Sequence, residues 1–160
     1  MKYLLSYMLF ESVETYKIKS IENNDFNTKY YFNDDLGNKY LVQFKNDKIG
    51  TKLKPILGNS YELTYYVWDE DISDWSVSKI VNSDMYKTIY TIFGDILSDF
   101  LSKRSWVSLI RIEGLAKEKE KEFVTQRTKL YLRYLRRNPI DGYNIEYFGS
   151  NKINLVKNKR

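Results

Sequence analysis

The feature that most constrains this chain is a change of period near residue 82. Before it, apolar and polar residues alternate. Tyr40, Val42 and Phe44 fall on one face of an extended segment, and Leu41, Gln43 and Lys45 on the other. After it, Ile89, Ile92, Phe93, Ile96, Leu97, Phe100 and Leu101 recur at three- and four-residue spacing, one stripe of a helix. A sheet-forming first half is therefore followed by a helix with an apolar face to bury.

The first half reads as four strands, over residues 16–21, 28–32, 39–44 and 61–68, mostly an antiparallel meander. The turn-rich run Asn33-Asp34-Asp35-Leu36-Gly37-Asn38 joins the second to the third. A turn-like stretch with Gly50, Pro55 and Gly58 precedes the fourth. Asn82 or Ser83 supplies the N-cap of the first helix, which runs to about Lys103. Residues 106–112 (WVSLIRI) are apolar on nearly both faces, the pattern of a central strand covered on each side. A helix between strand 61–68 and this one implies a right-handed parallel crossover.

A second helix lies within 116–137, with Phe123, Leu130, Tyr131, Tyr134 and Leu135 as its stripe. It stops at Asn138-Pro139. Residues 143–148 and 153–156 form a closing hairpin. The expectation is one α+β domain: a mixed, mainly antiparallel sheet of six to seven strands with two main helices, in the order ββββ-α-β-α-ββ.

Composition narrows the chemistry. The 160 residues contain no Cys and no His. Disulfides, Cys- or imidazole-ligated metals and His-based catalytic triads are excluded. Met1 to Phe10 is apolar, but no small-residue cleavage site follows it and no apolar run reaches 18 residues, so no membrane partner is expected. Residues 1–100 carry 11 basic and 15 acidic side chains, net −4; residues 101–160 carry 15 basic and 6 acidic, net +9. That asymmetry makes nucleic acid a candidate partner.

Three clusters carry possible chemistry. Arg127, Lys129, Arg133, Arg136 and Arg137 make the second helix basic and are the candidate nucleic-acid-binding residues. Asp69, Glu70, Asp71 and Asp74 form an acidic cluster between Trp68 and Trp75; their spacing does not fit an EF-hand, and a solvated loop is the plainer interpretation. Gln43-x-Lys45 after Asp34 and Asp35 shares a strand-face pattern with restriction-type metal nucleases but lacks their Pro-Asp pair and a second strand acid. No catalytic residue, metal ligand or cofactor is assigned.

Met1-Lys2-Tyr3 through Leu9-Phe10-Glu11 is similar to the capsid-targeting peptide of internal head proteins in T-even-type tailed phages. The resemblance implies cleavage by a prohead protease between Glu11 and Ser12, so that residues 1–11 are a cleavable peptide and 12–160 the mature domain. Segments 82–97 and 127–136 resemble small uncharacterised tailed-phage proteins. The element order, and Lys129-Leu130-Tyr131 leading to Gly142-Tyr143, resemble the C-terminal part of the GCN5-related acetyltransferases. That family's Gly-rich acetyl-CoA loop should fall at 71–83, which contains no Gly.

These resemblances imply a phage accessory protein without catalytic activity, packaged in the head and delivered with the genome. Its partners would be DNA, a capsid scaffold protein or a host protein, and its location the virion interior or the host cytoplasm. The alternatives are an unpackaged nucleic-acid-binding or host-inhibiting module, and a degenerate acetyltransferase-like domain.

Overall fold

The structure, a computed structural model, describes residues 14–77, 79, 81, 84–113, 126–149 and 151–159. Among these residues, ten strands and two helices follow one another. Strands β1 (Ile18–Asn23), β2 (Asn27–Asn33) and β3 (Lys39–Asn46) come first, then the two-residue strands β4 (Ile49–Gly50) and β5 (Pro55–Ile56). After β6 (Ser60–Asp69) and β7 (Asp74–Ser76) comes the first helix, α1 (85–102). Then follow β8 (Leu109–Glu113), α2 (Gln126–Arg137), β9 (Tyr143–Tyr147) and β10 (Lys152–Lys157).

The main sheet has the order β1-β2-β3-β6-β8-β10-β9, with β7 also paired to β6. Every neighbouring pair is antiparallel except β6 and β8, which run parallel from Ser60↔Leu109 to Leu63↔Ile112. The expected α+β class, the meander and the parallel crossover are all present. The additions are β4, β5 and β7, none of which the apolar alternation announces.

The core lies between one sheet face and the two helices. Tyr30, Phe32, Tyr40, Val42, Phe44, Leu63, Val67, Ile110, Ile112, Ile153 and Leu155 point into it from the strands. All seven stripe residues of α1 are buried there, and Phe100 stacks on Phe44 with ring centroids 3.9 Å apart. Asp84 caps α1, its side chain accepting from the Lys87 N–H; Asn82 and Ser83 lie outside the described residues. The middle of α1, Tyr90–Ile96, winds as a π-helix, flanked by α-helical Met85–Ile89 and Leu97–Ser102.

The apolar run at 106–112 implies cover on both faces, and here the structure differs. Strand β8 buries Ile110 and Ile112 while Arg111 and Glu113 are exposed. Both described helices pack on the same side, so every strand has one face away from them. On that outer face Trp75 packs against Trp68 and Tyr31, at centroid distances of 5.3 and 5.9 Å, and Leu41 is buried in the same region. Phe123 lies outside the described residues.

Candidate nucleic-acid interface

Helix α2 divides sharply by exposure. Thr128, Tyr131, Leu132 and Leu135 are buried, and Phe93 packs on Tyr131 at 4.8 Å. The four exposed residues among its described side chains are Lys129, Arg133, Arg136 and Arg137. At 100° per residue these occupy one continuous arc opposite the core. No salt bridge among the described residues engages any of the four. Two of them stand in the last turn, where positive charge also suits the helix dipole.

Arg127 does not join them. Its guanidinium donates to the carbonyls of Val77 at 2.8 Å and Lys79 at 3.4 Å, and lies 4.9 Å from the centre of the Tyr65 ring. It stands on the border between core and solvent, and its fork is spent joining α2 to the segment before α1. The basic cluster of the sequence is thus four residues facing solvent and one tying down the fold. Glu11 and Ser12, the expected cleavage site, lie outside the described residues.

The topology adds cations to the same end of the molecule. Helix α2 runs toward the end where β9 begins and β10 finishes, since Lys157 pairs with Tyr143. Backbone bonds then link that end across the sheet: Lys157 N to Ser108 O at 2.9 Å, and Ser108 N to Asn59 O at 2.8 Å. This places Arg136, Arg137, Lys157 and Lys159 at the same sheet end as the turn after α1, with Lys103 and Arg104. The segment joining β3 to β6, with Lys48, Lys52 and Lys54, is there as well. Asp25, Asp47, Asp99 and Asp141 are carboxylates at this end; Asp47 is paired with Arg111 at 2.6 Å and Asp99 with Lys103 at 3.1 Å. The opposite end holds Asp34, Asp35, Asp69, Glu70, Asp71, Asp74 and Asp84, with Lys39, Lys79, Lys87 and Lys152 among them, Lys79 bridged to Asp69 and Asp71 and Lys87 to Asp35. The charge asymmetry along the sequence becomes an asymmetry between two ends of a sheet.

The acidic cluster forms the tip of the β6–β7 hairpin, where Asp69 pairs with Asp74 and Lys79 bridges Asp69 and Asp71 at 3.4 and 3.7 Å. No group of His, Cys, Asp or Glu among the described residues has metal-holding geometry. Asp34 of the nuclease-like pattern is 7% exposed and occupied by its own turn. It accepts from the Leu36 and Asn38 N–H groups, the Asn38 side chain and the Tyr40 hydroxyl at 2.7–3.0 Å. Gln43 instead meets Asn27 at 3.4 Å. Asp34 and Gln43 are therefore not assembled into one site.

A cleft of about 750 Å³ opens between the π turns of α1 and the end of α2, with Tyr90, Phe93, Gly94, Asp95, Tyr134 and Asp141 in its lining. A side chain at position 94 would come within 2.9 Å of the Tyr134 hydroxyl, so glycine permits the close approach of the helices. Desolvation, with Tyr90 and Asp95 alongside, pushes the Tyr134 phenol up to about 12. The cleft offers carboxylates and neutral hydroxyls, and its described lining contains no cation. No helix among the described residues is long and apolar enough to cross a membrane.

Comparison with protein-family models, with curated proteins and with solved structures finds no match to this chain.

Proposed function

We propose that this chain is a non-catalytic accessory protein, of the kind tailed phages carry, that contacts nucleic acid through its basic sheet end. The observation that carries the contact is the α2 surface: its exposed described residues are Lys129, Arg133, Arg136 and Arg137, unpaired by any described carboxylate. Three of the four are arginines, whose planar forks match phosphate oxygens. The phage assignment rests on the likeness of Met1–Glu11 to a capsid-targeting peptide, and a DNA-filled head suits a protein with such a surface.

What weighs against the acetyltransferase alternative is the stretch before α1. Its described part is an acidic hairpin tip without glycine, which offers a pyrophosphate neither close backbone approach nor positive charge.

The test is titration of a labelled duplex with the full chain at several salt concentrations. Phosphate neutralisation predicts binding whose logarithm falls linearly with the logarithm of salt. Absence of binding at low salt would end the nucleic-acid reading.

A further inference from the structure

Residues 48–57 are ten consecutive exposed positions between two strands of the sheet. They form an arm in which β4 and β5 pair as Ile49↔Ile56 and Gly50↔Pro55. Exposed residues in a loop are normally polar, and here they are not. Ile49 is 57% exposed, Leu53 94% and Ile56 56%. Lys48, Lys52 and Lys54 stand among them, and the ten residues contain no carboxylate. Lys48 rests its ammonium 4.6 Å from the centre of the Phe26 ring at the root, leaving Lys52 and Lys54 on either side of Leu53.

The arm is held in shape. At its root the buried Asn46 side chain bonds both backbone groups of Gly58, and Asp47 N donates to Ser60 O at 2.9 Å. At its tip the Thr51 hydroxyl accepts from Lys54 N at 3.0 Å, and Pro55 fixes its own φ. An apolar group on a rigid support suits insertion, because little conformational freedom remains to be given up on binding.

We propose that the arm is a wedge for duplex DNA. Leu53 enters between base pairs from the minor groove, Lys52 and Lys54 neutralise the phosphates on either side, and the duplex bends away from the arm. This rests on the nucleic-acid reading of α2 and adds to it a second contact and a deformation. Aliphatic wedges flanked by cations are a general means of kinking DNA, by about 20–90°. The arm stands at the sheet end that also carries Lys157, Lys159 and the last turn of α2, so a duplex seated on it lies beside further cations. A lipid surface would also accept leucine flanked by lysines, but the other exposed aliphatics of the arm, Ile49, Ile56 and Leu57, stand toward its root, and Leu53 alone is at the tip.

The experiment uses the full chain and a duplex of about 30 bp carrying a donor at one end and an acceptor at the other. Energy transfer reads the bend, and anisotropy of the same duplex reads affinity. The expected result is increased transfer on binding by the native chain. Leu53→Ser should abolish that increase while retaining affinity within about tenfold, the phosphate contacts being kept. Because Leu53 is 94% exposed, the variant folds as the parent does. Bound but unbent DNA, or bending by Leu53→Ser equal to the parent's, would overturn the wedge and leave the α2 contact standing. No binding by either protein would overturn both. Cosedimentation with phosphatidylserine–phosphatidylcholine vesicles that depends on Leu53, without bending of DNA, would assign the arm to lipid and also overturn the wedge.

Discussion

Asn46 and Gly58 hold each other by two hydrogen bonds of 2.8 Å, the Asn46 amide donating to the Gly58 carbonyl and its oxygen accepting from the Gly58 N–H. Asn46 is 2% exposed, and a Cβ at position 58 would collide with the backbone oxygen of Asp47. The pair therefore closes the root of the arm and fixes where it leaves the sheet. Asn46→Ala would leave both backbone groups of Gly58 without their partner, at about 1–3 kcal/mol for each buried orphan. Urea unfolding should show that drop in stability. A cost below about 0.5 kcal/mol, the range of ordinary surface changes, would mean the clamp is not formed.

Phe100 tests the core. It is fully buried, stacked on Phe44 and edge-on to Tyr61 at 4.9 Å. Phe100→Ala should cost about 3–5 kcal/mol, as large-to-small core changes do. Phe93→Ala, on the π-helical turns, should fall in the same range, and values below about 1 kcal/mol for both would contradict the packing of α1 on the sheet.

Alkali should weaken the fold. Desolvation, followed by the carboxylates Asp35, Asp34 and Asp84, pushes the Tyr16 phenol up to about 12. Tyr134 reaches about the same value through desolvation, Tyr90 and Asp95. An unfolded tyrosine titrates near 10, so between about pH 10 and 12 the unfolded chain gives up protons that the folded chain keeps. The stabilisation is fully present below pH 10 and is lost as pH rises through that window. The urea midpoint should drop between pH 9 and pH 11, and less steeply in Tyr134→Phe; an unchanged midpoint would contradict the burial of both phenols.

What the sequence makes legible here is what burial imprints on it. Strands β2, β3 and β6 and the stripe of α1 repeat at the period of the face they hide, and each is found in place. The β4–β5 arm escapes because Ile49, Leu53 and Ile56 face solvent, so no burial period marks it; its one signal is three lysines among aliphatics with no acid. Strand β7 is masked by its shortness and by the acids that run up to Trp75. The cap of α1 falls on Asp84 rather than Asn82 or Ser83, since several cap-forming residues in a row satisfy the same rule. The basic face is legible from Arg133, Arg136 and Arg137, whereas Arg127 differs from them only in its angle on the helix. Which strand lies beside which is a long-range matter, and nothing local in β10 says that it separates β8 from β9.

The phage reading makes a separate demand. If Met1–Glu11 is a cleavable peptide, a chain beginning at Ser12 should unfold as cooperatively as the full chain, and mature particles should contain protein with Ser12 at its amino terminus. Were Leu4, Leu5, Met8, Leu9 and Phe10 part of the core, their removal would forfeit roughly 1.5–3 kcal/mol each. Their sum rivals the 5–15 kcal/mol by which a domain of this size is stable. An unfolded Ser12–Arg160 chain would end the packaging hypothesis.

The central claim, that the exposed face of α2 neutralises phosphates, is tested most directly by the salt dependence of duplex binding. The native chain should be compared with the variant Lys129→Gln, Arg133→Gln, Arg136→Gln, Arg137→Gln. All four side chains are exposed, so the variant keeps the core. Every phosphate that the variant leaves without its cation should reduce the slope of log affinity against log salt by about 0.9. The account predicts a slope shallower by about 2–4 and weaker binding at low salt for the variant. Equal slopes and equal affinities for the two proteins would show that nucleic acid, if bound at all, does not meet α2.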